Sequence, residues 1–316
     1  ARAAQWLGST DSARAIKHWR KVRALLTDEE RGSVSDRLRA MSCSQISLLG
    51  WREGLSLEEV QPFIEEAMGL ADAVDSSLTQ LLLMIEGRML QASGGPADLY
   101  VERVRQALVL ASETSDMGRV AMLSAALSHA YAWAGLLEDG ISANDVALLH
   151  VGSIGKADKA FMGFNIEHWA LVMRGRQLTR LGRLDEAQAC LERMLRIGES
   201  AVDPVLLQIA HYGYVDFAWL SKNVDLARAH SDWVMRIANK HSSPYLRVFA
   251  LSAQSLVCDM SEDHQGALQA LGEALALIRS AKVATEFETE ILAGMAECYR
   301  KLGAAKEAES TACEAI

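Results

Sequence analysis

The sequence predicts an all-α fold, an α-solenoid of about eight antiparallel helix pairs. Two observations carry this, and composition allows it. A triplet of mostly small or apolar residues at i, i+4 and i+7, positions that share one helical face, recurs eight times along the chain. The first residues of the triplets are Ala15, Val60, Tyr100, Gly140, Ala187, Ala227, Ala267 and Ala308, at intervals of 45, 40, 40, 47, 40, 40 and 41. A period near 40 sustained over a chain means stacked supersecondary units. The 316 residues are 50% hydrophobic with four Pro. That is enough apolar side chain to build a core, and too little proline for a loop-rich or all-β fold.

In chain order, Ala15-Trp19-Val22 mark the first unit, and the polar run Thr27 to Ser33 lengthens the first interval. Insertions in such a surface loop cost little. Val60-Ile64-Ala67 and Tyr100-Val104-Ala107 mark the next two units, with Gly94-Gly95-Pro96 as a turn before the latter. Residues 120–137 carry no charge. Their length is near the lower limit for crossing a bilayer, but Ser124, Ser128, His129 and many Ala favour a buried core helix. A short second helix is expected over 138–150, then a polar loop Val151 to Lys156 that lengthens the fourth interval. The clearest unit has helices over 165–181 and 184–197. Gly182 supplies the stop between them, and Asp185-Glu186 suit the positive end of the second. Asn223-Val224-Asp225 and Leu302-Gly303 mark the same joint later.

These residues resemble tetratricopeptide repeats. The phrase Arg-Leu-Gly-Arg-Leu-Asp-Glu-Ala at 180–187 is similar to that family's inter-helix joint, and Gly175 and Ala296 fall where the family places a small residue on the first helix. Tyr299 matches its aromatic. The resemblance implies a right-handed superhelix whose first helices line a concave face. Gly140 and Asn144 depart from the pattern, so irregular packing is expected in that unit. The long period and the phrases at 63–71 and 104–111 are similar to the C-terminal repeat regions of bacterial class III adenylate/guanylate cyclases and of LuxR-type or STAND signalling ATPases. The chain is expected to be one superhelical domain over 1–316, with 151–159 as the place where it could divide. Its opening, Ala-Arg-Ala-Ala-Gln-Trp-Leu-Gly, reads as the end of a helix and as a fragment of a longer protein.

Enzyme constellations are missing from the sequence: no H-E-x-x-H, C-x-x-C, G-x-S-x-G or G-x-G-x-x-G occurs. Gly152-Ser153-Ile154-Gly155-Lys156 lacks the flanking Gly and Ser/Thr of a phosphate loop, because His150 and Ala157 stand there. The histidines are scattered over separate units, and no metal or cofactor is expected. Glu29-Glu30, Glu58-Glu59 and Glu65-Glu66 read as helix starts or solvated faces. Five separated Cys fit a reducing cytoplasm. The net charge of −9 disfavours nucleic acid as a partner.

Aligning the units on their triplets gives the groove-facing candidates His129, Trp133, Trp169, Arg176, Arg180, Tyr212, Asp216 and Trp219, then Asp259, Glu297 and Arg300. Rigid rings beside a planar cation are what protein and peptide grooves use. The alternative for each is packing between units, with Arg176 and Asp216 pairing only with each other. The expected function is non-catalytic: a cytoplasmic regulatory module that binds a peptide, a protein partner or a small effector and acts on other domains of its chain. The competing reading is an oligomerisation scaffold, and an all-helical enzyme is the remote one.

Overall fold

A computed structural model describes residues 1–8, 11–26, 32–74, 77–198 and 203–316, with the side chains of 72–74 and 198 left aside. Most of the expected loop at 27–33, including Glu29 and Glu30, lies outside the described residues. Among the described residues there are seventeen α-helices and no strand. The chain divides into two compact units, Ala1–Arg174 and Gly175–Ile316, and residues 151–159 lie inside the first.

The first unit holds four helix pairs: α1 (Arg2–Leu7) with α2 (Ser12–Leu25), α3 (Ser33–Gly50) with α4 (Leu57–Val74), α5 (Leu78–Ala92) with α6 (Ala97–Glu113), and α7 (Met117–Trp133) with α8 (Leu137–His150). A 3₁₀ turn at Val151–Ser153, the short α9 (Lys156–Met162) and most of α10 (Ile166–Arg180) complete it. The second unit takes the end of α10 with α11 (Leu184–Gly198), α12 (Pro204–Leu220) with α13 (Val224–His241), α14 (Pro244–Met260) with α15 (His264–Ala281), and α16 (Glu288–Lys301) with α17 (Ala305–Glu314).

The eight triplets stand on the second helices, α2, α4, α6, α8, α11, α13, α15 and α17, with Ala315 of the last one capping the end of α17. Val60, Val104, Ala187 and Ala267 have no exposed surface, because the partner helix crosses there. The last triplet differs: α17 holds no buried residue. Gly175 has the packing reason its place suggests, since a Cβ there would come within 2.7 Å of Leu191 Cδ2. Each joint between the helices of a pair, from α3 onward, holds one left-handed residue: Gly54, Gly94, Gly135, Gly182, Lys222, Glu262 and Gly303. Their intervals of 40, 41, 47, 40, 40 and 41 repeat the period of the triplets. Side chains then cap the next helix: Asn223 Oδ1 accepts from Leu226 N and Asp263 Oδ1 from Gly266 N, satisfying amides that have no helical partner.

Two expectations need correction. The α7–α8 unit is not irregular. Asn144 is wholly buried there, and its Nδ2 donates to Ser128 Oγ at 3.0 Å and to the Ala170 carbonyl at 2.9 Å, which tethers α8 to α7 and α10. Nor is the fourth interval lengthened only by a polar loop. Lys156 opens α9, and Asp158 on it accepts from Arg119 of α7 at 2.7 and 3.1 Å. Arg119 also donates to the Ser77 carbonyl and Gln80 Oε1 of α5, at 2.7 and 3.3 Å. Gly118 lets the turn before α9 cross α7, because a Cβ there would stand 2.4 Å from the Ser153 carbonyl oxygen. The uncharged stretch around 120–137 is mostly α7, buried on nearly every side, as the core reading expects. Among the described residues no helix is long and apolar enough to cross a membrane.

Candidate functional site

In the first unit three of the candidates meet. His129 and Trp133 stand one turn apart on α7, and Trp169 on α10 lies with its ring centre 5.7 Å from that of His129. Trp133 Nε1 donates to His129 Nε2 at 3.0 Å, and Tyr100 Oη lies 3.3 Å from Nδ1. An indole N–H can only donate, so the imidazole proton is on Nδ1 and Tyr100 Oη accepts it. Phe164 closes edge-on against Trp169 at 5.5 Å. All three candidates are half-buried, and the ring group borders the main core of this unit.

In the second unit three of the other five, Arg176, Tyr212 and Asp216, meet. Arg176 Nε donates to Asp216 Oδ2 at 2.9 Å, and the guanidinium lies 5.2 Å from the centre of the Tyr212 ring. Burial works against the Arg176 charge, but Asp216, Tyr212 and Glu290 outweigh it and raise its pKa above the ordinary value. Burial, followed by the charges of Glu290 and Asp216, pushes the Tyr212 phenol well above its ordinary value. Tyr212 therefore stays neutral, a wall rather than an acid or base. Arg180, at the end of α10, is exposed and bears on Tyr212 only through its charge. Trp219, two turns beyond Tyr212 on α12, is 45% exposed.

Tyr212 and Trp219 edge a cleft of about 180 Å³ lined from α12, α14, α15 and α16. Three of these, α12, α14 and α16, are first helices of consecutive pairs, which is where the sequence places a groove. Leu256, Leu271 and Ile291 supply apolar walls, and Asp259, Glu290 and Glu297 supply carboxylates. Asp259 accepts from Lys301 Nζ at 2.7 and 2.9 Å and lies 3.1 Å from His264 Nδ1. Glu297 pairs with Arg300 one turn on, which holds its carboxyl below the usual range. Arg300 is on the rim as Glu297's partner and does not line the cleft.

Sequence reasoning missed two features. Glu290 belongs to the cleft, but an acid in the first turn of a helix reads as a dipole partner. The other is a histidine pair: His211 on α12 and His230 on α13 face each other with Nδ1 atoms 2.9 Å apart. Trp233 stacks on His211 at 5.3 Å and Tyr214 on His230 at 4.2 Å. Nineteen residues separate the two histidines, and no spacing rule joins them across two helices. Among the described residues no group of three or more His, Cys, Asp or Glu is placed to hold a metal ion.

Comparison with known proteins locates the fold. No protein-family model and no curated protein matches the chain. Among solved structures the chain is similar to a Rap protein complexed with competence and sporulation factor: TM-score 0.64 at 11% identity, over 98% of this chain and 94% of that one. At that identity the likeness concerns the fold alone, and it supports a tetratricopeptide-like helical array.

Proposed function

We propose that the chain is a regulatory module that binds a polypeptide segment on the faces made by its first helices. The observation that carries this is the cleft between α12, α14 and α16, open to solvent beside the half-exposed Trp219. A large ring kept in water at the mouth of an apolar recess costs solvation that a bound segment recovers. The Rap structure of similar fold holds a second molecule, its named factor, which supports a binding role for an array of this kind. The groups gathered in each unit are rings, paired ions and aliphatic walls, which suits recognition rather than bond making. The finer reading is a bacterial signalling protein of the cyclase or ATPase kind, working in the cytoplasm, in which the bound segment biases domains carried elsewhere on the chain.

The test is a thermal-shift screen of the whole chain against peptide pools and against sugars, nucleotides and amino acids, followed by anisotropy on the hits. A ligand that binds only the folded state raises the melting temperature. Peptide hits weakened at least tenfold by Trp219→Ala are expected, with Leu149→Ala on α8 as an unaffected control. Hits confined to small effectors, or peptide hits indifferent to Trp219→Ala, overturn the reading. Self-association with no peptide hit would point to a scaffold.

A further inference from the structure

Resting on that binding role, the make-up of the cleft says which side chain it takes. We infer that it receives an arginine or lysine side chain of the bound segment. Size comes first. At about 180 Å³ the cleft is smaller than the roughly 300–1,000 Å³ of pockets that enclose a whole small ligand. A single long side chain matches that size better than a whole free ligand does.

The walls come second. Leu256, Leu271 and Ile291 offer an apolar channel of the kind that the methylene stem of a long basic side chain covers while its head stays polar. Trp219 stands at the edge, and indole is the best aromatic platform for a cation.

Charge comes third. Three carboxylates line the cleft and no lysine or arginine does. Lys301 answers Asp259 and Arg300 answers Glu297 from outside the lining. Glu290 is exposed and makes no hydrogen bond or ion pair among the described residues. The Arg176 guanidinium, which feels its charge, is already held by Asp216, and the exposed Arg180, whose charge reaches Tyr212, does not line the cleft. Glu290 is therefore the lining carboxylate that no cation of the described residues holds by a hydrogen bond or ion pair. A cationic head is attracted there and an acidic one repelled, and the chain's net charge of −9 acts in the same direction at longer range.

The experiment compares two random nonapeptide pools, identical except for a fixed central residue: arginine in one, its neutral isostere citrulline in the other. Each is titrated against the whole chain by anisotropy. The arginine pool is expected to bind at least tenfold more tightly in 50 mM salt, with the advantage shrinking in 500 mM salt. In a Glu290→Gln/Glu297→Gln variant the two pools should bind alike. Both side chains are exposed, so the variant should melt as the parent does. Equal binding of the two pools to the parent chain overturns the charge inference and leaves polypeptide binding standing. Binding of neither pool overturns both. The comparison on the parent chain decides the matter even where a variant folds poorly.

Discussion

The residue that best separates structure from recognition in the second unit is Arg176. Its guanidinium, with a side chain only 14% exposed, is committed to Asp216, itself 13% exposed, and lies against Tyr212. Removing one partner of such a pair strands the other in a poorly solvated place. Arg176→Ala should therefore cost about 3 kcal/mol in urea unfolding, whereas Arg176→Met/Asp216→Leu should recover most of it; equal loss in both variants would sink this account. The histidine pair gives a second prediction at this scale. Burial, then the charges of His230 and Arg236, lowers the His211 pKa from 6.5 to about 4, and burial lowers that of His230 to about 4. The folded chain holds both rings neutral where the unfolded chain takes up protons. Stability is therefore complete above pH 6.5 and falls as pH drops from about 6.5 toward 4. His211→Phe/His230→Phe keeps the stacking on Trp233 and Tyr214 and should flatten that slope, as followed by melting temperature against pH. An unchanged slope would assign the effect elsewhere.

At the scale of elements, α9 is held by its contacts with other helices: the Asp158–Arg119 ion pair, Gln45 Nε2 donating to the Phe161 carbonyl at 2.8 Å, and Met162 buried in the core. Seven residues cannot hold a helix alone, and α9 is tied down by Asp158, with a side chain 10% exposed, against Arg119 at 8%. Asp158→Ala leaves that guanidinium buried without its anion and should cost about 3–5 kcal/mol; Asp158→Asn, which keeps an acceptor, should cost less, and chemical denaturation ranks the two. This element also shows where legibility stopped. The paired helices could be read because each second helix repeats a buried face at fixed spacing, and a face such as Ala187-Leu191-Met194 has a geometric cause. The segment 156–162 carries no such face, so only its extra length could be seen. Asn144 looked like a defect for the same reason: its value lies in the Ser128 hydroxyl and the Ala170 carbonyl, on two other helices. For the candidate cleft, Tyr212 and Trp219 were legible as rings on a first helix. Glu290 was not, because its meaning depends on what surrounds it in space.

At the scale of the whole molecule, each helix finds most of its partners among its neighbours in sequence. Stability in such arrays is close to a sum of local terms, so damage should stay local. Asp158→Ala should lower hydrogen-exchange protection in α5, α7 and α9 and leave α12 to α16 as they were; loss of protection along the whole chain would contradict this. The left-handed residue at the joint of each pair carries a different consequence. It is a phase mark. The backbone returns to the same conformation at Lys222 and again at Glu262, and each is followed by a capping residue, Asn223 or Asp263. A chain spliced from Lys222 directly to Asp263 would lose one period and keep the reading frame of the fold: the seam would join two places that the backbone treats alike. Such a shortened chain should stay helical and melt cooperatively by circular dichroism, while a splice displaced by a few residues should not. In that sense this protein is written in editable lines, with the line break visible in its backbone.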